Sequence, residues 1–568
     1  MITKRPLRLG YALREALREG YGPRDLRADV LAGLVVGVVA LPLSMALAIA
    51  SGAPPQHGLY TAIVAGTVCA ILGGSRVVVS GPTAAFVVIL APISARYGIA
   101  GLVTASALAG LIMIAMGCFR LGRLIEFVPY PVTTGFTAGI GFVIASFQLK
   151  DFLGLSPEAL PGDAMWHERM GALFAALSTI RPADLVTGAV TLVVLVFWRR
   201  LRVPVPGPLG ALVVGALVAA AVAHFGGGAP ATLASRFGTS AAPSGIPGAP
   251  PLFVLPWNLP DAGGTTAGFS LAYIRLLLPA AFAIALLGAI ESLLAAVVAD
   301  GMTGQRHHPD VELIALGTAN VAAGFFGGFA ATGALARTAT NVRAGGRSPV
   351  AALVHAGFVL ASVLAIAPLL GHLPMASLAA LLLVVAWNMS EARHVIQVVR
   401  TAPKSDTAVL LTCFVLTVVF DMTLAVMVGF SLAGLLFMRR MADITGAELI
   451  GPQHPQRGRD LPPGVLVYDI HGPLFFGAAH KATRQLLMLD HREVATVVLN
   501  LQDVPVIDAT GIVNLRAVIE RLRGAGVEVI LSDLRSQPRQ ALEKARLIGE
   551  GGVAHHATLA EAVAARRP

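Results

Sequence analysis

The chain has 568 residues, 55% of them hydrophobic and only 13% charged, with a formal net charge of +10. A soluble protein carries about a quarter of its residues as charges, so the deficit excludes a soluble enzyme or binding module over most of the length and puts that length in lipid. The Lys and Arg residues sit at the ends of apolar runs rather than lining a groove, which argues against nucleic acid and for the positive-inside pattern of a membrane protein.

In chain order, residues 1–28 read as a basic amphipathic lead-in, charged too far along to be a cleavable signal peptide. Apolar runs follow at Val30–Ser51 and Leu59–Leu72, and GGSRVVV leads into Ser80–Pro92, SGPTAAFVVILAP. Further runs cover Gly98–Phe119, Phe127–Phe147, Leu185–Trp198 and Pro206–Val222. A Gly/Pro/Ala-rich stretch, about His224–Gly268, has no apolar periodicity and reads as an irregular outer connector. The runs resume at Leu276–Val298, Val311–Phe326, Thr332–Gly346, Val350–Leu370, Leu373–Trp387, Ala408–Phe420 and Met422–Met438. From Gly446 the composition turns polar, and short β-rich runs alternate with helical patterns at Ala482–Leu489, Ile512–Gly524 and Gln537–Ala545, the signature of a small α/β domain. The expected division is 1–28 N-terminal segment, 29–440 membrane domain with core and gate subdomains, 441–462 linker, and 463–568 soluble domain.

Alternating the runs across a membrane places most Arg residues on one side only if the two short stretches, Ser80–Pro92 and Thr332–Gly346, also enter it. The expected fold is then α-helical and polytopic. It has about fourteen membrane segments as a seven-plus-seven inverted repeat, two half-helices each third in its set, and both termini cytoplasmic.

The stretch GPTAAFVVILAP would span roughly 18 Å as a helix, against about 30 Å of hydrocarbon. It reaches the midplane and no further. Ser80 and Thr332, each followed by glycine, read as N-caps, so two helix N-termini would face one another at mid-membrane. Each carries about half a positive charge and free N–H donors, which together make an anion site. Arg337 adds a full charge. Glu291, inside LLGAIESLLAAVVADGMTG, is costly in lipid and therefore a functional candidate. Its burial favours the neutral form, so it could carry a proton or pair with Arg337. Arg343 and Arg347 read as inner anchors, Asp300 and Asp421 as boundary residues, and His355 as a hydrogen-bonded packing residue. Cys69, Cys118 and Cys413 read as core residues. No catalytic motif is present, His307–His308 lacks metal partners, and neither a metal nor a cofactor is expected.

The segments LPLSMALAIASGAPPQHGLY, GGSRVVVSGPTAAF, IESLLAAVVADGMTG and NVRAGGRSPVAALVH, followed by the C-terminal domain, resemble the SulP (sulfate permease) family of anion transporters with a STAS domain. VSGPTAAFVVILAP, LLGAIESLL, LLLVVAWNMSEA and GPLFF are similar to its DauA-type C4-dicarboxylate branch. The resemblance implies a uracil-permease-like fold, often as a homodimer in the bacterial inner membrane. It implies substrate contacts at Leu43, Ser44, Ser80, Gly81, Thr83, Ala84, Gly333, Leu335, Ala336 and Arg337. Where several proton-coupled relatives have glutamate after the first segment's proline, this chain has Leu43 after Pro42, so proton coupling falls to Glu291. Where sodium-coupled bicarbonate relatives have threonine four residues after the acid, this chain has Ala295, which weakens a sodium site. In the STAS-like loop Asp508-Ala509-Thr510-Gly511, alanine replaces the phosphorylated serine of anti-sigma-factor antagonists. An architectural or partner-binding role is expected there, with Thr510 a weaker modification candidate.

The function expected is proton-coupled uptake of succinate, fumarate or aspartate by alternating access. The alternatives are a bicarbonate or sulfate transporter of the same family, or a membrane scaffold or sensor acting on a cytoplasmic partner through the STAS-like domain.

Overall fold

Every apolar run read from the sequence overlaps a helix. The computed structural model describes residues 7–566 apart from 124–127, 159–163, 202, 204, 227, 267, 421, 451–460, 476–485, 487–493 and 550–551. Two compact units, Met1–Phe430 and Ser431–Pro568, divide the chain.

In the first unit, α1 (Tyr11–Arg18) precedes α2 (Pro23–Ala50) and α3 (Pro55–Leu72). The two-residue strand β1 (Ser80–Gly81) and a 3-10 turn, Ala84–Phe86, lead into α4 (Val87–Cys118). Gly98, at φ 65°, breaks α4, leaving a first half-helix that ends at Tyr97. Only glycine suits that backbone, and a Cβ there would also strike the main chain of Asp261 in the long connector. Next come α5 (Tyr130–Leu153), α6 (Trp166–Ala175), α7 (Pro182–Phe197) and α8 (Gly207–His224). The connector after them holds the short α9 (Leu233–Phe237) and is otherwise mostly irregular.

The second half repeats the order. α10 (Leu271–Thr303) and α11 (Pro309–Phe325) precede β2 (Thr332–Gly333) and α12 (Leu335–Arg343). Then follow α13 (Val350–Leu370), α14 (Met375–Ser390), α15 (Ala392–Thr401), α16 (Lys404–Val419) and α17 (Met422–Ile444). Eight described helices are long and apolar enough to cross a membrane, nine if the bent pair Trp166–Thr179 and Pro182–Phe197 is one span. α12 falls short of that length.

The helices pack in two groups. α2, α3, α4, α10, α11, α12 and α13 pair among themselves, and α5, α7, α8, α14 and α16 among themselves, with slighter contacts between the groups. Most of these helices are apolar on all sides, as burial by protein and lipid together requires. The half-helices lie in the first group.

In the second unit β3 (Gly446–Ile450) pairs antiparallel with β4 (Val465–His471). β4, β5 (Thr496–Asp503), β6 (Glu528–Ser532) and β7 (Ala554–His556) pair in parallel, giving the order β3-β4-β5-β6-β7. Helices Ala509–Gly524 and Ser536–Lys544 lie in the crossovers between the parallel strands. The linker expected at 441–462 is corrected in part, because β3 lies inside it and adds a sheet edge. The helix expected at Ala482–Leu489 lies outside the described residues except for Leu486, which is buried in the domain core. Asp508 caps the helix that follows it, its carboxylate accepting from the Gly511 amide at 2.7 Å. The loop in which alanine replaces a phosphorylated serine is thus a helix N-terminus.

Candidate functional site

Two extended links bring the chain to the half-helices, and extended backbone at membrane depth must be satisfied by protein or water. Before β1, the Val77 carbonyl accepts from Asn341 Nδ2 at 2.9 Å, and the Val79 amide donates to Thr338 Oγ1 at 3.2 Å. Before β2, the Phe329 amide donates to Thr61 Oγ1 (2.8 Å), that of Ala330 to Ser106 Oγ (2.9 Å) and that of Ala331 to Asn320 Oδ1 (2.6 Å). The two links then hold each other. β1 and β2 pair antiparallel with Ser80 opposite Gly333 and Gly81 opposite Thr332, and the Ala334 amide donates to the Val79 carbonyl at 2.9 Å.

Antiparallel pairing sends the two chains out of the crossing in opposite directions. The first half-helix starts at Ala84 and the second at Leu335. Ser80 and Thr332 are not the N-caps; those positions are Thr83 and Ala334, and neither gives a side-chain cap. The physical reason is that Ser80 and Thr332 are consumed by strand pairing, which delays each helix by a few residues. The first-turn amides, without intrahelical partners by geometry, are left uncapped. Leu335 and Ala336 at the start of α12 are exposed, Thr83 and Leu43 half-buried, and Ser80, Gly81, Ala84, Gly333 and Ser44 buried.

Arg337, in the first turn of α12, is 2% exposed, the largest fully buried side chain in the protein as described. Its Nη2 donates to the Pro82 carbonyl at 2.7 Å and reaches Ser44 Oγ at 3.5 Å. Among the described residues Nε and Nη1 have no hydrogen-bond partner. Gly81 makes room for the guanidinium, since a Cβ there would collide with Nη1. Among the described residues Arg337 forms no ion pair, so of the two roles open to Glu291 the pairing with Arg337 is not made. Glu291, half-buried on α10, has its own partners: Oε2 accepts from Thr83 Oγ1 at 3.1 Å and from Thr332 Oγ1 at 3.2 Å. Hydroxyls from the two links that lead into the half-helices thus converge on one carboxylate oxygen. Ser292, beside it, accepts the Gly333 amide at 2.7 Å and fixes β2 to α10. A buried cation without a counter-ion is costly, and an anion placed between the two N-termini would supply that counter-charge.

His355 is fully buried on α13, as suits a packing residue. Arg347 pairs with Asp25 at 2.8 Å. Several positioning residues went unnoticed in the sequence. Asp29 is buried on α2 and accepts from the Arg347 and Ser348 amides (2.6 and 3.2 Å) and from the Ser348 and Tyr21 hydroxyls, so it fixes the chain leaving α12. Burial, and then the bond to Asp29, push the Tyr21 hydroxyl up to about 12, so it stays a donor at neutral pH. Glu312, buried at the start of α11, accepts the Gly74 and Ser75 amides (2.8 and 3.0 Å) and fixes the link entering β1. Arg76, on the same link, pairs with Glu15 (3.0 Å) and Glu19 (2.5 Å) of the N-terminal segment. That bond holds Glu19 below the usual carboxylate range. A carboxylate just inside an apolar run was the signal available for Glu312.

Broken helices, uncapped N-termini and an arginine without an ion pair among the described residues bring free N–H donors and a positive charge to the crossing of the two links. Comparison with known proteins identifies the family. The sulfate permease family model matches residues 26–413 and the STAS domain model residues 460–562. The chain is 38% identical to the putative sulfate transporter YvdB of Bacillus subtilis, covering 94% of this chain and 97% of that one. It is 28% identical to the bicarbonate transporter BicA of Picosynechococcus sp., covering 92% and 91%. The murine anion transporter Slc26a9, solved in the inward-facing state, shares the fold at TM-score 0.83 and 20% identity over 98% of this chain and 94% of that one. The transmembrane domain of a cyanobacterial BicA gives 0.61 at 28% identity over 73% and 98%. The protein is a multi-pass membrane transporter of anions. It belongs to the sulfate permease family, with a STAS domain at its C-terminal end.

Proposed function

We propose that this protein is a secondary active transporter that takes up C4-dicarboxylates such as succinate, fumarate and aspartate together with protons, by alternating access. The observation that carries the reading is Arg337, buried without a counter-ion beside two uncapped half-helix N-termini. One carboxylate would face Arg337 Nη1 and Nε and the first-turn amides of α12, with Ser44, Leu43, Ser80, Gly81, Thr83, Ala84, Gly333, Leu335 and Ala336 around it. Glu291, bonded to the hydroxyls at both helix starts, would carry the proton. With Glu291 neutral the site holds the full charge of Arg337 and accepts an anion. With Glu291 ionised that charge is offset and the anion is released, so uptake should rise as external pH falls. The motion would carry the first helix group against the second. We place fourteen segments in the bacterial inner membrane as two inverted sets of seven, with both termini cytoplasmic, and assign the protein as a homodimer.

A second reading, a bicarbonate or sulfate carrier, is favoured by the names of the relatives. Proteoliposomes decide between them. The expected result is uptake of labelled succinate driven by an inward proton gradient, several-fold above that of sulfate or bicarbonate. Gradient-independent bicarbonate or sulfate flux without succinate flux would overturn the dicarboxylate assignment.

A further inference from the structure

The long connector between the two halves of the membrane domain is bonded to both helix groups. Its first part rests on the second group. The Ala231 amide donates to Asp184 Oδ1 on α7 at 3.0 Å, and Arg181 Nη2, just before α7, donates to the Ala229 carbonyl at 2.9 Å. The Ala231 carbonyl accepts at 2.8 Å from the amide of Met375, which opens α14. Arg236 on α9 pairs with Asp151 near the end of α5. The Leu233 and Ala234 amides donate to the carbonyls of Leu373 and Gly371 (3.0 and 2.9 Å), where the chain passes from α13 to α14 and so from one group to the other. Two crossings between the groups are thus bonded side by side.

The last part of the connector rests on the first group. The Val254 amide donates to the carbonyl of Phe325, at the end of α11, at 2.8 Å. The Phe253 ring stacks on that of Phe325, with 5.7 Å between centroids and 3° between planes. At the break in α4, the helix resuming after Gly98 has first-turn amides without helical partners, and Ala100 gives its own to the Pro260 carbonyl at 3.0 Å. Asp261 fixes the turn that presents this carbonyl. Its Oδ1 accepts the Gly263 and Thr265 amides and its Oδ2 the Thr265 hydroxyl, each at 2.9 Å. The far end of the first half-helix is thereby fastened to the connector.

Between these anchors lies IPGAPPL, residues 246–252, with three prolines in seven residues. Proline-rich chain is extended and stiff, at about 3.1 Å per residue. The span bends at Gly248 and Ala249, so straightening that bend is how its ends can move apart.

We propose that the connector is a strap between the helix groups, and that the bend at Gly248–Ala249 is the slack on which the transport stroke draws. Its length then limits how far the first half-helix travels from the second group. The attachments stand on the contacts alone; the limit on travel rests on the alternating-access reading above.

Hydrogen exchange on the detergent-solubilised full-length protein tests the attachments. The amides of Ala100, Ala231, Leu233 and Ala234 should be protected in the wild type. Asp261→Ala should speed exchange at Ala100 about fivefold, as for loss of one hydrogen bond, and leave the other three unchanged. Unprotected amides, or an Ala100 that does not respond to Asp261→Ala, would overturn the strap. Uptake of labelled succinate and sulfate by proteoliposomes tests the limit on travel. Deleting Gly248 and Ala249, about 6 Å of chain, should reduce uptake to the level of empty vesicles while calorimetry shows wild-type anion affinity. Adding Asp261→Ala, which frees the rear anchor, should bring uptake back. Gly248→Ala is the gentler variant, since its Cβ meets open space. By stiffening the bend it should lower the maximal rate about twofold without shifting the half-saturating anion concentration. Wild-type rates in both variants, or a deletion that binds anion but is not rescued by Asp261→Ala, would overturn the limit. A wild type protected at both anchors that moves neither anion would sink the transport reading and leave the attachments standing.

Discussion

The two half-helices hold equivalent places in their halves of the chain and bring different chemistry to the crossing. The first, from Ala84 to Tyr97, is uncharged and almost wholly apolar until Arg96 at its far end. The second, LARTATNVR, is polar and carries Arg337 in its first turn. Both offer an uncapped N-terminus, so the dipole contribution is shared. Only the second offers a full charge, and the first supplies the place for it: Gly81 leaves the space, and the Pro82 carbonyl and Ser44 on α2 take one guanidinium nitrogen. A backbone repeat can thus serve a site whose side chains are unlike. One half provides the cation and the other the socket.

That division can be broken at several points. Arg337→Ala removes the cation, and two charge-assisted hydrogen bonds of about 1.5–3 kcal/mol each are worth at least on the order of a hundredfold. Uptake should fall to background in proteoliposomes while the protein keeps its melting temperature. Next comes the socket: in Gly81→Ala the methyl displaces the guanidinium, and labelled-anion uptake should drop roughly tenfold, as for a misplaced binding group. Wild-type flux from that variant would show that Arg337 does not work from its present position. Glu291→Gln should keep flux at neutral pH but lose the rise on acidification; an undiminished acid response, measured as initial rate against external pH, would remove Glu291 from coupling. The smallest effects, about fivefold on the acid-stimulated rate, are expected from Thr83→Val and Thr332→Val, each deleting one neutral hydrogen bond of about 1 kcal/mol. Equal losses support the convergence of both helix starts on one oxygen, and a loss confined to one variant contradicts it.

The broken helices, Arg337 and Glu291 were legible in the sequence because a charge or a short run inside long apolar segments is conspicuous against its background. The helix starts were not. A hydroxyl followed by glycine reads as a cap, and only the pairing of Ser80 with Gly333 across the two halves turns it into a strand. Long-range pairing leaves no local trace. Asp29 and Glu312 escaped for the same reason, since their partners are backbone amides of links far away in the chain. The failure of Glu291 to pair with Arg337 needed geometry too, because two opposite charges in lipid invite the assumption of a bridge. In the STAS domain β3 was hidden in a polar stretch, where a half-exposed edge strand alternates weakly.

The central claim is that an anion sits between the two half-helix N-termini and is held by Arg337. Calorimetric titration of the anion into purified wild type and Arg337→Ala tests it most directly, with the melting temperature of both recorded beforehand. Saturable binding to the wild type and none to a normally folded Arg337→Ala is the predicted result. Equal affinity in the two proteins would contradict the claim and send the search for the substrate elsewhere in the membrane domain.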